Sequence, residues 1–352
     1  MSFTKIAVIG GARPNFMKIA PLCRAFDKQG MKYFIVNTGQ HFDKNMAQNF
    51  FKEFKIQPNY NLRPPKNSVV KQFSGIMTGL EKILLKEKPN LVIVVGDVNS
   101  TLAAALVANK LKIKLAHIEA GLRSFNLAMA EEHNRVLTDH LSDYLFVTAE
   151  EGLTNLKKEG FTKNIYFVGN IMLDTLKFFL PKIKKTKEEF YFCTLHRPEN
   201  VDHQRIFEDV LNALAIIAQD QKIYLPLHPR TKKMAEKFGL MNKMRRIFKL
   251  LPPLNYQDSI FYQKNARLVL TDSGGMQEEA SFLGVPCLTL RQETERPTTV
   301  TKGTNIIGGV TKQSILKAYQ VVKNRPLKKI NIPKWDGRAA ERIANVIKKI
   351  NV

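Results

Sequence analysis

Short apolar runs rich in Val, Ile and Leu recur along this chain, and stretches with the apolar spacing of helices separate them. Five such runs come first: Ile6 to Ile9, Tyr33 to Asn37, Leu91 to Val95, Leu115 to Ile118 and Tyr144 to Val147. Helix-like stretches fall around 18–29, 43–54, 68–87, 99–111 and 131–142. This alternation predicts a parallel sheet with helices on both faces. A second series runs through Phe190 to Thr194, Lys222 to Pro226, Ile247 to Leu250, Arg267 to Thr271 and Val285 to Thr289. The basic stretch Pro181 to Glu188 lies between the two series and reads as a linker. The expectation is an α/β chain of two doubly wound domains, 1–180 and 181–335, with a last helix, 336–352, packing back on the first. A ligand cleft is expected between the domains, at the carboxyl ends of the strands.

Composition narrows the class. The chain has 352 residues, 44% hydrophobic and 24% charged, which suits two globular domains and excludes a disordered chain. No apolar run approaches the roughly 18 residues of a membrane span. The start, Lys5 to Gly10, reads as a first strand and a glycine turn, not a signal peptide, so a cytoplasmic protein with no membrane partner is expected. Cys23, Cys193 and Cys287 are widely spaced, lack metal-ligand spacing and read as buried fillers. The formal charge of +24 invites a nucleic-acid reading. Its lysines, however, sit in short scattered groups, and no zinc-finger, RNP-like or basic-region pattern appears, so a solvated Lys-rich surface is the preferred explanation. Such a field still attracts an acidic substrate.

Polar residues gather just after the predicted strands. Gly10 to Lys18 brings Arg13 and Lys18 to the start of a helix, where a phosphate or a diphosphate is welcome. Neither the dinucleotide fingerprint nor a P-loop is present. Asp97 follows the third strand, Glu119 the fourth, and Glu131 and Glu132 open the next helix. Carboxylates from separate strand ends can divide acid and base roles when burial separates their pKa values. The bland alternatives are a helix cap for Asp97 and a negatively charged helix start for the paired glutamates. In the second half, His196 with Arg197, and His228, each follow a strand. Ser273, Gly274 and Gly275 form a turn ahead of a helix that carries Glu278 and Glu279, and Arg296 lies downstream. Neither metal spacing nor a Ser-His-Asp arrangement is legible.

Eight stretches, in order and in register, carry a resemblance: "GARPNFMKIAPL", "TGQHFDKNM", "GDVNSTLAAALVANKL", "HIEAGLRS", "EEHNRVLTDHLSD", "VGNIMLDTL", "HRPENVD" and "TDSGGMQEEASFLGVPCLTLRQETERP". From the first strand to about residue 310 the chain resembles the non-hydrolysing UDP-N-acetylglucosamine 2-epimerases. The resemblance implies two Rossmann-like domains of the glycosyltransferase-B type and a homodimer. It implies an isomerase that needs neither NAD nor metal and interconverts UDP-GlcNAc and UDP-ManNAc for cell-surface polysaccharide. A base would remove the C2 proton while UDP leaves C1, giving a glycal; UDP would then add back as a proton reaches the opposite face. By motif position, Asp97, Glu119 and Glu131 match the catalytic acids, with Asp97 first choice for the base and Glu119 for the acid. His196 matches the motif histidine that helps expel the diphosphate. Arg13 and Lys18 match the substrate-end cations, and Arg123, Arg135, His228 and Arg296 join them as substrate-binding candidates. Ser273, Gly274 and Gly275 match the diphosphate turn, Glu279 the acid that holds the ribose hydroxyls, while Glu278 reads as a surface or cap residue.

The chain also departs from that family pattern. Phe42 and Asp43 stand where many bacterial members have a basic residue, and Pro198 replaces an arginine, so activation by a second UDP-GlcNAc is expected to be weak or absent. Ala130 replaces a proline before the paired glutamates. The "HRPEN" and "HIEAGLRSF" pattern is also similar to the branch acting on UDP-2,3-diacetamido-2,3-dideoxyglucuronate, kept as the alternative substrate. A hydrolysing epimerase and a glycosyltransferase of the same architecture are the remoter readings.

Overall fold

The apolar runs fold as strands because they are buried on both faces. Residues Leu91–Val95 are all buried, with no position left for a solvent-facing side chain. In the computed structural model, which describes residues 4–40, 51–65, 67–327 and 330–350, these runs form two separate parallel sheets. The first holds β1 (Lys5–Gly10), β2 (Lys32–Asn37), β3 (Tyr60–Asn61), β4 (Leu91–Val95), β5 (Lys114–Ala120), β6 (Tyr144–Val147) and β7 (Ile165–Phe167). The second holds β8 (Tyr191–Thr194), β9 (Ile223–Pro226), β10 (Phe248–Leu251), β11 (Leu268–Thr271), β12 (Cys287–Thr289) and β13 (Asn305–Ile307). The predicted α/β class with two doubly wound sheets is therefore what the chain adopts. The predicted helix over 43–54 falls mostly outside the described residues, as do Phe42 and Asp43.

Strand order is β3-β2-β1-β4-β5-β6-β7 in the first sheet and β10-β9-β8-β11-β12-β13 in the second. In each sheet the order reverses once: between β1 and β4, and between β8 and β11. Chains leaving the two central strands turn to opposite sides there, which opens a crevice at the carboxyl ends where doubly wound sheets bind ligands. The chain groups into two units, Met1–Thr175 with Pro333–Val352, and Leu176–Ile332.

Each unit has its own core. In the first, Val92 and Val94 pack with Ala103, Ala104 and Ala105 of the helix Asn99–Lys110, whose small side chains let it lie close to the sheet. In the second, Phe207, Leu211 and Leu214 of the helix Gln204–Ile217 pack on Leu225 and Leu268. Each fully buried side chain of this kind contributes about 1.5–3 kcal/mol. The helix Ala339–Ile350 belongs to the first unit, where the backbone N–H groups of Ala339 and Ala340 donate to the Asp174 carboxylate at 3.0 and 2.9 Å. Cys23, Cys193 and Cys287 are all buried, and burial pushes the Cys23 and Cys287 thiols up to about 12.

Candidate active site

In the first unit the polar groups converge at the reversal between β1 and β4. After β1 the chain runs through Gly10 and Gly11 into the helix Arg13–Lys28. Gly11 is required by space: a Cβ there would lie 2.1 Å from the Ser100 hydroxyl oxygen and 2.3 Å from that of Thr38. Asn15 staples this turn to β4. Its Oδ1 accepts from the N–H groups of Gly11 and Ala12, at 3.2 and 2.9 Å, and its Nδ2 donates to the Val95 carbonyl at 2.8 Å. One turn on, buried Lys18 points at Glu119, with Nζ 2.5 Å from Oε2.

Glu119 is presented by a distorted strand. The pairing of β5 with β6 slips in register between Ile118 and Ala120, and Glu119 adopts φ +76°, a left-handed conformation that a side chain bearing Cβ rarely takes. Holding a non-glycine residue there costs of order 1–3 kcal/mol, and such strain clusters at functional sites. The reward is direction: Glu119 Oε2 meets Lys18, while Oε1 is buried with no hydrogen-bond partner among the described residues. A buried carboxylate oxygen left without a donor is costly unless a ligand supplies one. Gly96 closes the cluster, since a Cβ built there would lie 3.6 Å from Glu119 Oε2 and 3.7 Å from Lys18 Nζ.

Asp97 comes next. Arg135, on the helix Ala130–Leu141, directs both Nε and an Nη at Asp97 Oδ2, and its other Nη reaches Glu132 Oε2 at 2.5 Å. Arg135 thus grips a candidate catalytic acid. Glu132, not Glu131, is the glutamate built into this network. It accepts from the Ser124 N–H at 2.9 Å, the Ser124 hydroxyl at 2.8 Å and the Phe125 N–H at 3.0 Å. Burial alone would raise the Glu132 carboxyl, but these donors and Arg135 hold it below the usual range. Glu131 sits half-buried in the first turn of the same helix, about 100° round the axis. Arg123 is turned to the protein's own carboxylates. Its guanidinium is 1% exposed and pairs with Asp139 at 2.8 Å and Glu159 at 2.6 Å, which commits it to holding the loop after β5. Arg13 opens its helix half-buried, and burial lowers its pKa against the charge of Glu53.

In the second unit the reversal lies between β8 and β11. His196 follows β8, and its loop is anchored by Asp272, a residue that sequence reasoning passed over. Asp272 Oδ2 accepts from the N–H groups of His196 and Arg197, each at 2.8 Å, and His196 Nδ1 lies 3.2 Å from Oδ1. The His196 and His228 rings stand 5.1 Å apart, and partial burial together with His196 lowers the His228 pKa. Pro198 takes the first position of the short helix Pro198–Val201, where its missing N–H costs nothing.

Ser273 caps the helix Gly274–Leu283 without a side-chain bond of its own to the helix. The first backbone N–H groups of a helix lack partners within it and form an anion seat. Among the described residues nothing lies within 4 Å of a Cβ built on Gly275, so packing does not demand glycine there and the backbone stays open to a ligand. Further along, Glu279 accepts from the Tyr256 hydroxyl at 2.6 Å and Gln263 Nε2 at 2.8 Å, while burial pushes its carboxyl up to about 7. Glu278 corrects the expectation of a surface or cap residue. It is 2% exposed and pairs with Arg296 Nε at 2.6 Å, because neighbouring segments cover both sides of this helix.

The Glu279 shift has a testable sign. A folded pKa of about 7, above the ordinary value of about 4.3, means that the folded state binds the proton more tightly. Stability is therefore full at low pH and declines as pH rises from about 4.3 to about 7. Glu279→Gln is expected to flatten that decline in urea-melt midpoints; an unchanged slope would contradict the assignment.

Two doubly wound sheets, an anion seat at a helix start and buried carboxylates beside cations define a class: α/β enzymes that handle phosphorylated ligands. A family model described as UDP-N-acetylglucosamine 2-epimerase matches residues 24–348, and the chain belongs to this family of isomerases. The curated UDP-N-acetylglucosamine 2-epimerase of Methanocaldococcus jannaschii is 41% identical over 97% of this chain and 98% of its own. Its crystal structure in complex with UDP-GlcNAc and UDP matches with a TM-score of 0.88 over 98% of this chain and 99% of that one, at 40% identity. A Pseudomonas aeruginosa UDP-2,3-diacetamido-2,3-dideoxy-D-glucuronate 2-epimerase is 39% identical over 98% of this chain and 100% of its own. Among the described residues no helix is long and apolar enough to cross a membrane.

Proposed function

We propose that the protein interconverts UDP-GlcNAc and UDP-ManNAc by eliminating UDP across C1–C2 of the sugar and adding it back to the opposite face. The observation that carries this reading is the buried Glu119 Oε1, which has no hydrogen-bond partner among the described residues while Oε2 pairs with Lys18. Asp97, held at one carboxylate oxygen by Arg135, is the group that removes the C2 proton. Glu119, sharing a short hydrogen bond with Lys18, returns a proton to the glycal. The second unit holds the nucleotide: Ser273, Gly274 and Gly275 on the diphosphate, Glu279 on the ribose, with His196 and Arg13 supplying positive charge as the diphosphate departs. His228 lines that end, and Arg296 acts through its pair with Glu278. Glu131 remains a candidate acid. The product feeds cell-surface polysaccharide, the working protein is a cytoplasmic homodimer, and Pro198 weakens any second, activating UDP-GlcNAc site.

The test is product analysis with UDP-GlcNAc and UDP-2,3-diacetamido-2,3-dideoxyglucuronate in parallel. An equilibrium mixture of UDP-GlcNAc and its manno epimer, without free UDP, is expected. Turnover of the glucuronate alone would transfer the reading to the second substrate, and free UDP accumulating with free sugar would replace it with hydrolysis. Gly275→Ala separates binding from folding. Alanine in a helix is worth up to about 1 kcal/mol over glycine, so melting is expected to hold or rise. The added methyl crowds the diphosphate, and UDP binding by calorimetry is expected to weaken about tenfold; unchanged affinity would remove the turn from the nucleotide site.

A further inference from the structure

His117 lies on β5 two residues before Glu119, is fully buried, and has no place in the chemistry above. Both ring nitrogens are engaged. Nδ1 is 2.7 Å from Asp139 Oδ1, and Nε2 is 2.9 Å from the Gly96 carbonyl oxygen. A carbonyl accepts only, and an ionised carboxylate accepts only, so the ring satisfies both by donating from both nitrogens. Asp139 has every reason to be ionised. Its Oδ2 accepts the Gly121 N–H at 3.0 Å and pairs with Arg123 at 2.8 Å. Burial pushes the Asp139 carboxyl up, yet His117, Arg123 and the Gly121 N–H together hold it below the ordinary range.

The geometry points to His117 as a buried imidazolium that, with Asp139, clamps the two turns carrying the candidate acids and so acts as a positioning residue for proton transfer. One arm, Nε2 to the Gly96 carbonyl, fixes the peptide that leads into Asp97. The other arm runs through Asp139 to the Gly121 N–H, two residues beyond the strained Glu119. Arg123, itself tied to Glu159 at 2.6 Å and to the Leu122 carbonyl at 2.6 Å, supplies the charge that balances the clamp. Among the described residues, the charged groups joined to the ring by hydrogen bonds and ion pairs are Asp139 and, behind it, Arg123 and Glu159. The arrangement explains why a histidine stands at this buried strand position: a two-headed donor reaches a carbonyl on one side and a carboxylate on the other. This inference rests on the proposed epimerisation for its consequence but not for its chemistry.

Two measurements test it. In protein with nitrogen-15-labelled histidine and no substrate, at the pH of the epimerase assay, the His117 ring is expected to carry protons on both nitrogens. A singly protonated ring there would overturn the proposal. In the epimerase assay, His117→Ala is expected to lower kcat about 10²-fold with KM nearly unchanged, the cost of a carboxylate misplaced by about 1 Å. Added imidazole, filling the cavity, is expected to restore part of that rate. A variant that folds and keeps full kcat would overturn the positioning role. Should His117→Ala fail to fold, or the wild type fail to epimerise, the ring spectrum of the wild type alone decides the clamp, and only the functional reading falls in the second case.

Discussion

Glu119→Gln is expected to lower kcat for 2-epimerisation by about 10³-fold while leaving KM within a few-fold. The amide has the carboxylate's shape and can still accept from Lys18, so the turn and its strained backbone persist. What is lost is the group that exchanges a proton, and general acid–base catalysis is worth roughly 10²–10⁴. Exchange of the C2 hydrogen with solvent should fall in step with kcat, because both pass through the same transfer. Asp97→Asn should act likewise if the two acids divide the work. Glu132→Gln provides the contrast: its carboxylate holds the Ser124 and Phe125 N–H groups, so that change should loosen the loop and disturb KM as well. Glu119→Gln retaining more than about a tenth of the wild-type rate would remove it from proton transfer.

Arg123→Met is expected to unfold the first unit more readily without touching nucleotide affinity. Arg123 is buried between Asp139 and Glu159, and deleting one partner of a buried ion pair leaves charge without compensation, which costs about 3–5 kcal/mol. For a unit of this size that corresponds to a fall in Tm of roughly 10 °C. UDP binding, a property of the second unit in this reading, should stay within a factor of about two. A normal Tm with weakened UDP-sugar binding would instead restore Arg123 as a substrate cation, the role its motif position suggested.

Those two residues show where sequence reasoning reached and where it stopped. The doubly wound class was legible because the central strands are buried on both faces and read as unbroken apolar runs. The strands that escaped notice, Tyr60–Asn61, Ile165–Phe167 and Asn305–Ile307, are two- or three-residue edge strands, too short to show a pattern. Asp97, Glu119, Lys18 and the Ser273 turn were legible as polar residues just past strand ends. Their partners were not. Glu131 and Glu132 are equivalent in sequence, and only the helix's orientation decides that Glu132 meets Arg135. Asp272 hides beside a conspicuous turn, and its hold on the His196 loop spans 76 residues. His117 reads as part of an apolar strand, and nothing local announces that Asp139 waits 22 residues on. Arg123 stands in a motif that invites a ligand role, yet its partners, Asp139 and Glu159, lie 16 and 36 residues further along the chain.

The most direct measurement of the central claim is incubation of the wild-type protein with UDP-GlcNAc in deuterated water, read at sugar C2. Proton removal and return by Glu119 and Asp97 predict deuterium at C2 of the manno epimer and, with time, of the recovered substrate. Epimer formed with its original C2 hydrogen intact would contradict that chemistry outright.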